Sequence, residues 1–404
     1  MEPVVKALEG ADPIPREVDP ERIDAALTEI ERLNPSDEAL LESHTMTEQG
    51  LELELSGNPT LADIGPLRDL PLYALRLDGT AVRDLGPLKG HRLARLDLSG
   101  SPVQDLSPLE GVPLRELVLR GCPIESLAGL KGAPLTVLDL RQTRVRSLSP
   151  LLGAPLKRLM LGGAPIETLR WLAQMPIEDL SIEACEGISD LRPLKGMPLR
   201  RLVLRSCPVQ DLTPLQGAPL EELRLGGCNL LDLRTLAGLR PRILELTSCG
   251  VTSLDPLKGL TAESLELADN PRLSDLSPLR GAAIRQLDLR GTNVEDLSPL
   301  EGMPLEELDL TRTAVSNLAP LSGLPLTVLL VEACPRLSDV RPLMGCRHLT
   351  TLVLPSRVTD ARVLRRHPSL QQLGFTQQSL VPAERFWRLV AGEDAGPREA
   401  PSWP

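Results

Sequence analysis

Residues Pro113 to Ala133 read PLRELVLRGCPIESLAGLKGA, and this phrase decides the fold. Its core, Leu117-Val118-Leu119, returns sixteen times between Leu53 and Phe375 as L-x-L or a close variant, at intervals of 21 to 23 residues. A period that short and regular specifies a solenoid, because one coil cannot bury its own apolar face and must stack on its neighbours. Successive side chains of a strand point to opposite faces, so the paired leucines turn inward and the residue between them turns outward.

Outward from the strand, the next fixed position lies five residues after the first leucine. It holds Asn58, Thr80, Ser101, Thr143, Ala164, Asn270, Thr292 and Thr313, and six of the seven cysteines: Cys122, Cys185, Cys207, Cys228, Cys249 and Cys334. Small polar groups at this corner are expected to bond the loop backbone of the adjacent coil, whose buried amides and carbonyls need partners. The cysteines are therefore one repeat position, not a zinc or redox motif, which would need two of them close together on one loop. A return segment follows, typified by Asp105-Leu106-Ser107-Pro108-Leu109. Ser or Thr ahead of Pro predicts an N-cap and a single helical turn, and Gly111 ends it. A coil this short has no room for a full helix opposite the strand, so gentle curvature is expected.

Residues 1–50 lack the repeat. Within them Ile23, Leu27, Ile30 and Leu33 recur at helical spacing behind Asp19-Pro20, and Asn34-Pro35 ends the segment, which predicts a helix covering the open end of the first coil. The other end mirrors this, with a helix expected over 379–392, Phe386, Leu389 and Val390 on one face and Gly392 as its stop. The Pro/Gly-rich remainder to Pro404 reads as a flexible tail. The organisation expected is an N-terminal helical cap at 1–50, one repeat solenoid at 51–378, and a cap helix with tail at 379–404.

Bulk properties narrow the function. A net charge of −11 with no block of Lys and Arg argues against nucleic acid, since phosphate binding needs a concentrated basic face. No apolar stretch reaches the 18 to 20 residues of a membrane span, and the acidic first thirty residues do not read as a signal peptide. The expectation is a cytoplasmic protein, monomeric because its ends are capped, whose partner is another protein.

The coils Leu191-Arg192-Pro193-Leu194-Lys195-Gly196-Met197-Pro198-Leu199 and Leu297-Ser298-Pro299-Leu300-Glu301-Gly302-Met303-Pro304-Leu305 carry a family resemblance. Across about 51–375 the chain resembles the leucine-rich repeats of the internalin and phosphatase-regulatory class, and more closely a bacterial group whose coils read LSPLKGMPL. The resemblance implies an α/β solenoid: a right-handed superhelix with a parallel concave sheet, short 3-10 turns on the convex side and helical caps at both ends. Members of that group often carry a Ser/Thr kinase domain ahead of the repeats, and Phe386-Trp387 resembles their closing segment. No kinase glycine loop, H-R-D or D-F-G is present here, and internalin-type adhesins carry a secretion signal and wall anchor that this sequence does not display. The resemblance implies protein–protein recognition; a regulatory subunit of a separate kinase or phosphatase, or an exported adhesin or effector, are the alternatives.

No catalytic residue, cofactor site or metal site is expected. His44, His91, His348 and His367 lie apart without a second His or Cys at i+3 or i+4, and no nucleophile elbow, Walker loop or H-E-x-x-H occurs. The row Asp84, Asp105, Asp211, Asp296 and Asn317 repeats with the coils, which assigns it to loop hydrogen bonding.

Function is expected on the concave face. The column ahead of each L-x-L runs Arg95, Glu116, Val137, Arg158, Asp179, Arg201 and Glu222, alternating in sign as cross-strand neutralisation would produce. The middle column instead stacks Glu245, Glu266, Asp288 and Asp309, then Leu330 and Val353. Four carboxylates about 5 Å apart repel by about 1 kcal/mol per pair even in water, with only Arg290 at hand to relieve them. With Val328 and Thr351 beside Leu330 and Val353 as an exposed, mostly apolar end, this acidic strip reads as a dock for a basic, partly hydrophobic protein surface. A secondary patch is Val118, Arg120, Arg141, Met160, Val203 and Arg205, interrupted by Asp139 and Glu183.

Overall fold

A computed structural model describes residues 19–228, 230, 233–356, 358 and 361–391. The expected C-terminal tail and the stop at Gly392 lie outside the described residues. The chain forms two compact units, Met1–Leu199 and Arg200–Pro404. Each is a leucine-rich repeat solenoid, with parallel strands on one side and 3-10 turns on the other.

The first unit opens with helix α1 (Pro20–Leu33). Asp19 caps it, its Oδ1 accepting from the Glu21 amide at 3.0 Å, and Pro20 occupies the first turn, where a missing N–H costs nothing. Ile23, Ala26, Leu27 and Ile30 are buried, whereas Leu33 is exposed, so the apolar stripe is one turn shorter than its sequence spacing suggests. Asn34 ends the helix and ties it to the first coil. Its Nδ2 donates to the Ile30 and Asp63 carbonyls, and its Oδ1 accepts from the Ala62 and Asp63 amides, each at 2.8 Å. The cap has a second part that the leucine pattern does not announce. The polar strand Ser43–Thr47 runs antiparallel to Gly50–Glu54, the first strand of the repeat.

From Gly50–Glu54 to Asp179–Glu183 the strands of the first unit pair in parallel, in a register that sets leucine beside leucine. The second unit repeats this from Arg201–Arg205 to Gln372–Gly374, with Leu287, Leu308 and Leu329 stacked. These leucines are almost fully buried, each contributing roughly 1.5 to 3 kcal/mol. Val381–Pro382 adds a short antiparallel pairing, and helix α2 (Ala383–Ala391) closes the unit. Phe386 and Trp387 are its buried residues, with the Phe386 ring 5.1 Å from that of Phe375. Leu389, expected on the buried face, is 43% exposed.

The turns correct one expectation. Ser107 is the first residue of its 3-10 turn, not the cap. The capping oxygen belongs to Asp105, two residues earlier, which accepts from the Ser107 amide at 2.8 Å and the Ser107 hydroxyl at 2.6 Å. Asp84, Asp211, Asp296 and Asn317 accept in the same way from the amide two residues on, which accounts for the repeating acidic row.

The corner position divides by side chain. Threonine hydroxyls reach back within their own coil, as Thr80 to the Leu77 carbonyl and Thr313 to the Leu310 carbonyl, both at 2.7 Å. Cysteine thiols reach the preceding coil, as Cys122 to Leu98 at 2.9 Å, Cys228 to Leu204 at 3.1 Å and Cys334 to Leu310 at 3.1 Å. Asn270 does both, bonding Leu267 and Leu246. All seven cysteines are buried free thiols.

Candidate functional site

The outward columns of the strands carry the chemistry. In the second unit the middle column places Val203, Arg224, Glu245, Glu266, Asp288, Asp309, Leu330 and Val353 in register on successive strands. The acidic strip thus exists as a row, but its electrostatics differ from a column of unrelieved carboxylates. Glu245 is only 4% exposed and is held by two arginines, Arg205 Nη2 at 2.7 Å and Arg224 Nη1 at 3.1 Å from its Oε2. Arg224 also bonds Glu266 at 2.9 Å and Glu222, and Glu222 accepts from Arg201 at 3.0 Å. Burial opposes the Arg224 charge, yet the bonds to Glu222 and Glu245 and the charge of Glu266 outweigh it and hold the guanidinium above its ordinary range. Arg290 alone is therefore not the strip's only relief.

The row continues differently past Glu266. Asp288 accepts from the Arg290 amide at 3.0 Å and from its Nη2 at 2.8 Å. Asp309 accepts from the Thr311 amide at 2.8 Å, and its other oxygen lies 3.6 Å from Arg290 Nε, too far for a hydrogen bond. Arg290 Nε and Thr311 Oγ1 are buried without a hydrogen-bond partner. Burial, more than its neighbours, pushes the Asp309 carboxyl above the usual range. These carboxylates, with Glu307, Val328 and Leu330, line a shallow groove of about 250 Å³. Leu330 and Val328 are half-buried, but Val353 is fully buried, so the exposed apolar end is Val328, Leu330 and part of Thr351.

The residues of the secondary patch divide between the two units. In the first unit Val118 and Met160 are half-buried and Arg120 is exposed, while Arg141 is clamped to buried Asp139 through Nε and Nη2 at 2.9 and 2.5 Å. In the second unit Val203 is buried and Arg205 is engaged with Glu245. The column ahead of the leucines behaves as expected, with Arg158 bonded to Asp179 at 3.1 Å and Arg201 to Glu222. Among the described residues no group of three or more His, Cys, Asp or Glu side chains is placed to hold a metal ion, and no helix is long and apolar enough to cross a membrane.

The column-by-column reading missed the arginine partners of Glu245: Arg224 stands one coil back in the same column, and Arg205 two coils back and two residues beyond it. An arginine within two coils of a carboxylate run is the signal that would have found them.

No protein-family model matches the chain, and no curated protein matches it in sequence. Solved structures do match. An internalin from Listeria monocytogenes (InlF) is 22% identical with a TM-score of 0.62, over 82% of this chain and 95% of that one. A leucine-rich repeat protein of Leptospira interrogans is 18% identical with a TM-score of 0.59, over 84% and 93%. The functional domain of InlJ from Listeria monocytogenes, which includes a cysteine ladder, is 17% identical with a TM-score of 0.50, over 75% and 68%. This chain has the leucine-rich repeat fold. Within that class it resembles bacterial internalins and leucine-rich repeat proteins.

Proposed function

We propose that this chain is a non-catalytic scaffold that binds a partner protein on the strand face of its second unit, through the stretch from Glu266 to Leu330. The observation that carries this reading is the change in the acidic row: Glu245 is neutralised from both sides, whereas Asp309 faces an aliphatic wall with Arg290 as its one cation within 4 Å among the described residues. A basic surface with apolar flanks complements that stretch. We further infer a bacterial cytoplasmic monomer: seven free thiols support a reducing compartment, and the caps α1 and α2 support the monomer. Membership of the kinase-associated repeat group rests on the phrases at 191–199 and 297–305.

The test compares wild type with a Glu266→Gln, Asp288→Asn, Glu307→Gln variant in affinity capture followed by cross-linking. Wild type is expected to cross-link a basic protein through this face, and the variant to lose it. Capture of the same proteins at the same yield would defeat the reading.

A further inference from the structure

We propose that the groove beside Asp309 receives one lysine side chain of the partner, its ammonium on Asp309 Oδ2 and its aliphatic stem along Leu330 and Val328. The inference rests on the strand-face reading and narrows it to one residue type and one position.

Four features converge there. Asp309 Oδ1 already accepts from the Thr311 amide, which leaves Oδ2 as the oxygen without a hydrogen bond. The Arg290 guanidinium, turned toward Asp288, approaches that oxygen only to 3.6 Å. Across the strand from Asp309 the column turns apolar, at Leu330, with Val328 beside it. On the same face two residues before Asp309, Glu307 is exposed and makes no ion pair among the described residues. A cation entering between Glu307, Asp309 and Leu330 meets two carboxylates and an aliphatic wall. Asp309 with one open oxygen does not offer the forked acceptor that a guanidinium matches, whereas an ammonium is a compact donor on a flexible apolar stem. The stem matters equally, because a long cationic side chain buries its methylenes along apolar surface while its head stays polar.

The experiment uses the full chain with methyl-labelled leucine and valine, and short peptides of sequence Gly-Leu-Lys-Leu-Gly, blocked at both ends. Matching peptides carry arginine, norleucine or acetyl-lysine at the centre. The lysine peptide is expected to shift the Leu330 and Val328 methyl signals saturably, and the norleucine and acetyl-lysine peptides to leave them in place. Asp309→Asn is expected to weaken the lysine peptide by roughly tenfold or more. Leu330→Lys, which sets an ammonium into the groove from within the chain, is expected to exclude the peptide while the protein stays folded. An arginine peptide that binds as tightly as the lysine one overturns the assignment to lysine. If Asp309→Asn and Leu330→Lys both leave lysine-peptide affinity unaltered while the triple variant still loses its basic partner, the groove assignment fails and the strand-face reading stands. If the triple variant also keeps that partner, both fail.

Discussion

Arg205 reaches past Gly226 to Glu245, two coils further along the chain, and sets its Nη2 2.7 Å from the Glu245 Oε2. The passage exists because residue 226 has no side chain. A methyl group there would stand 2.7 Å from Glu245 Oε1 and 3.5 Å from the Arg205 Cγ. Gly226 lies in the turn after the strand Glu222–Arg224 with φ outside the left-handed region, where alanine ordinarily stabilises relative to glycine, so the sign of the effect is informative. Gly226→Ala is expected to destabilise by about 1 to 3 kcal/mol through overpacking, read as a lower urea midpoint at constant slope. A midpoint that rises would show that the guanidinium does not depend on that opening.

Arg224 joins Glu222, Glu245 and Glu266 in one network, and its removal leaves a buried carboxylate with half its compensation. Arg224→Met is expected to cost about 1 to 3 kcal/mol, and Glu245→Leu in the same background to recover part of that loss. The double-mutant cycle measures the coupling directly, and additive effects would refute the network.

The turn carboxylates give a pH signature. Hydrogen bonds from the Arg341 side chain and then its backbone hold Asp339 at about 2, below its usual value of 3.8, and bonds from Ser107 lower Asp105 likewise. A carboxylate whose folded pKa is depressed contributes stability that is present above the ordinary value and lost as pH falls toward the folded one. For Asp339 that window runs from about 3.8 down to about 2. Asp309 works in the opposite sense, since burial raises its pKa and its charge disfavours the fold above the ordinary carboxylate value. Circular dichroism across the acid range should show Asp339→Asn flattening the acid loss, and Asp309→Asn slightly more stable than wild type at neutral pH. The reverse order at neutral pH would contradict the burial argument.

The thiols should be inert in the folded protein. Burial pushes Cys249 up to about 12 and Cys228 and Cys346 up to about 11, so none is a thiolate at pH 8. A chromogenic disulfide reagent is expected to label no cysteine within minutes under native conditions and all seven in guanidinium. Because the folded pKa values are raised, this contribution is intact below the ordinary thiol value and disappears as pH rises through 11 to 12. Fast labelling of the native chain would show open coils.

Several corner residues sit in the left-handed region without being glycine, among them Ala184 and Ala333, both at φ 52°. Equivalent corners use glycine, such as Gly100 and Gly121. Alanine in that conformation costs about 1 kcal/mol, so Ala333→Gly should raise stability by up to that amount. Thermal unfolding decides it, and a lower melting temperature would mean the methyl group packs usefully.

The sequence made the coils readable because a period near 21 leaves each leucine one place to go. The cap at Asp19-Pro20 was legible too, since capping is a local interaction. What the repeat could not announce was anything carried between coils by long side chains. Glu245 is forty residues from Arg205, and column reading treats every outward residue as solvated. Val353 was placed at an exposed end by its column alone, yet it is fully buried. The strand Ser43–Thr47 escaped notice because SHTMT has neither leucine nor alternation.

The scarcity of aromatic rings, about 1% of the chain, gives the molecule an optical consequence. Trp171 lies under the Arg170 guanidinium in the first unit, 4.3 Å from its ring centre, and Trp387 is packed edge-on to Phe386 in the second. Trp403 lies outside the described residues, and among the described ones each unit holds one tryptophan in a distinct environment. Once Trp403 is replaced, emission from variants that retain a single indole reports the melting of either half separately, so cooperativity along the array becomes a spectroscopic quantity.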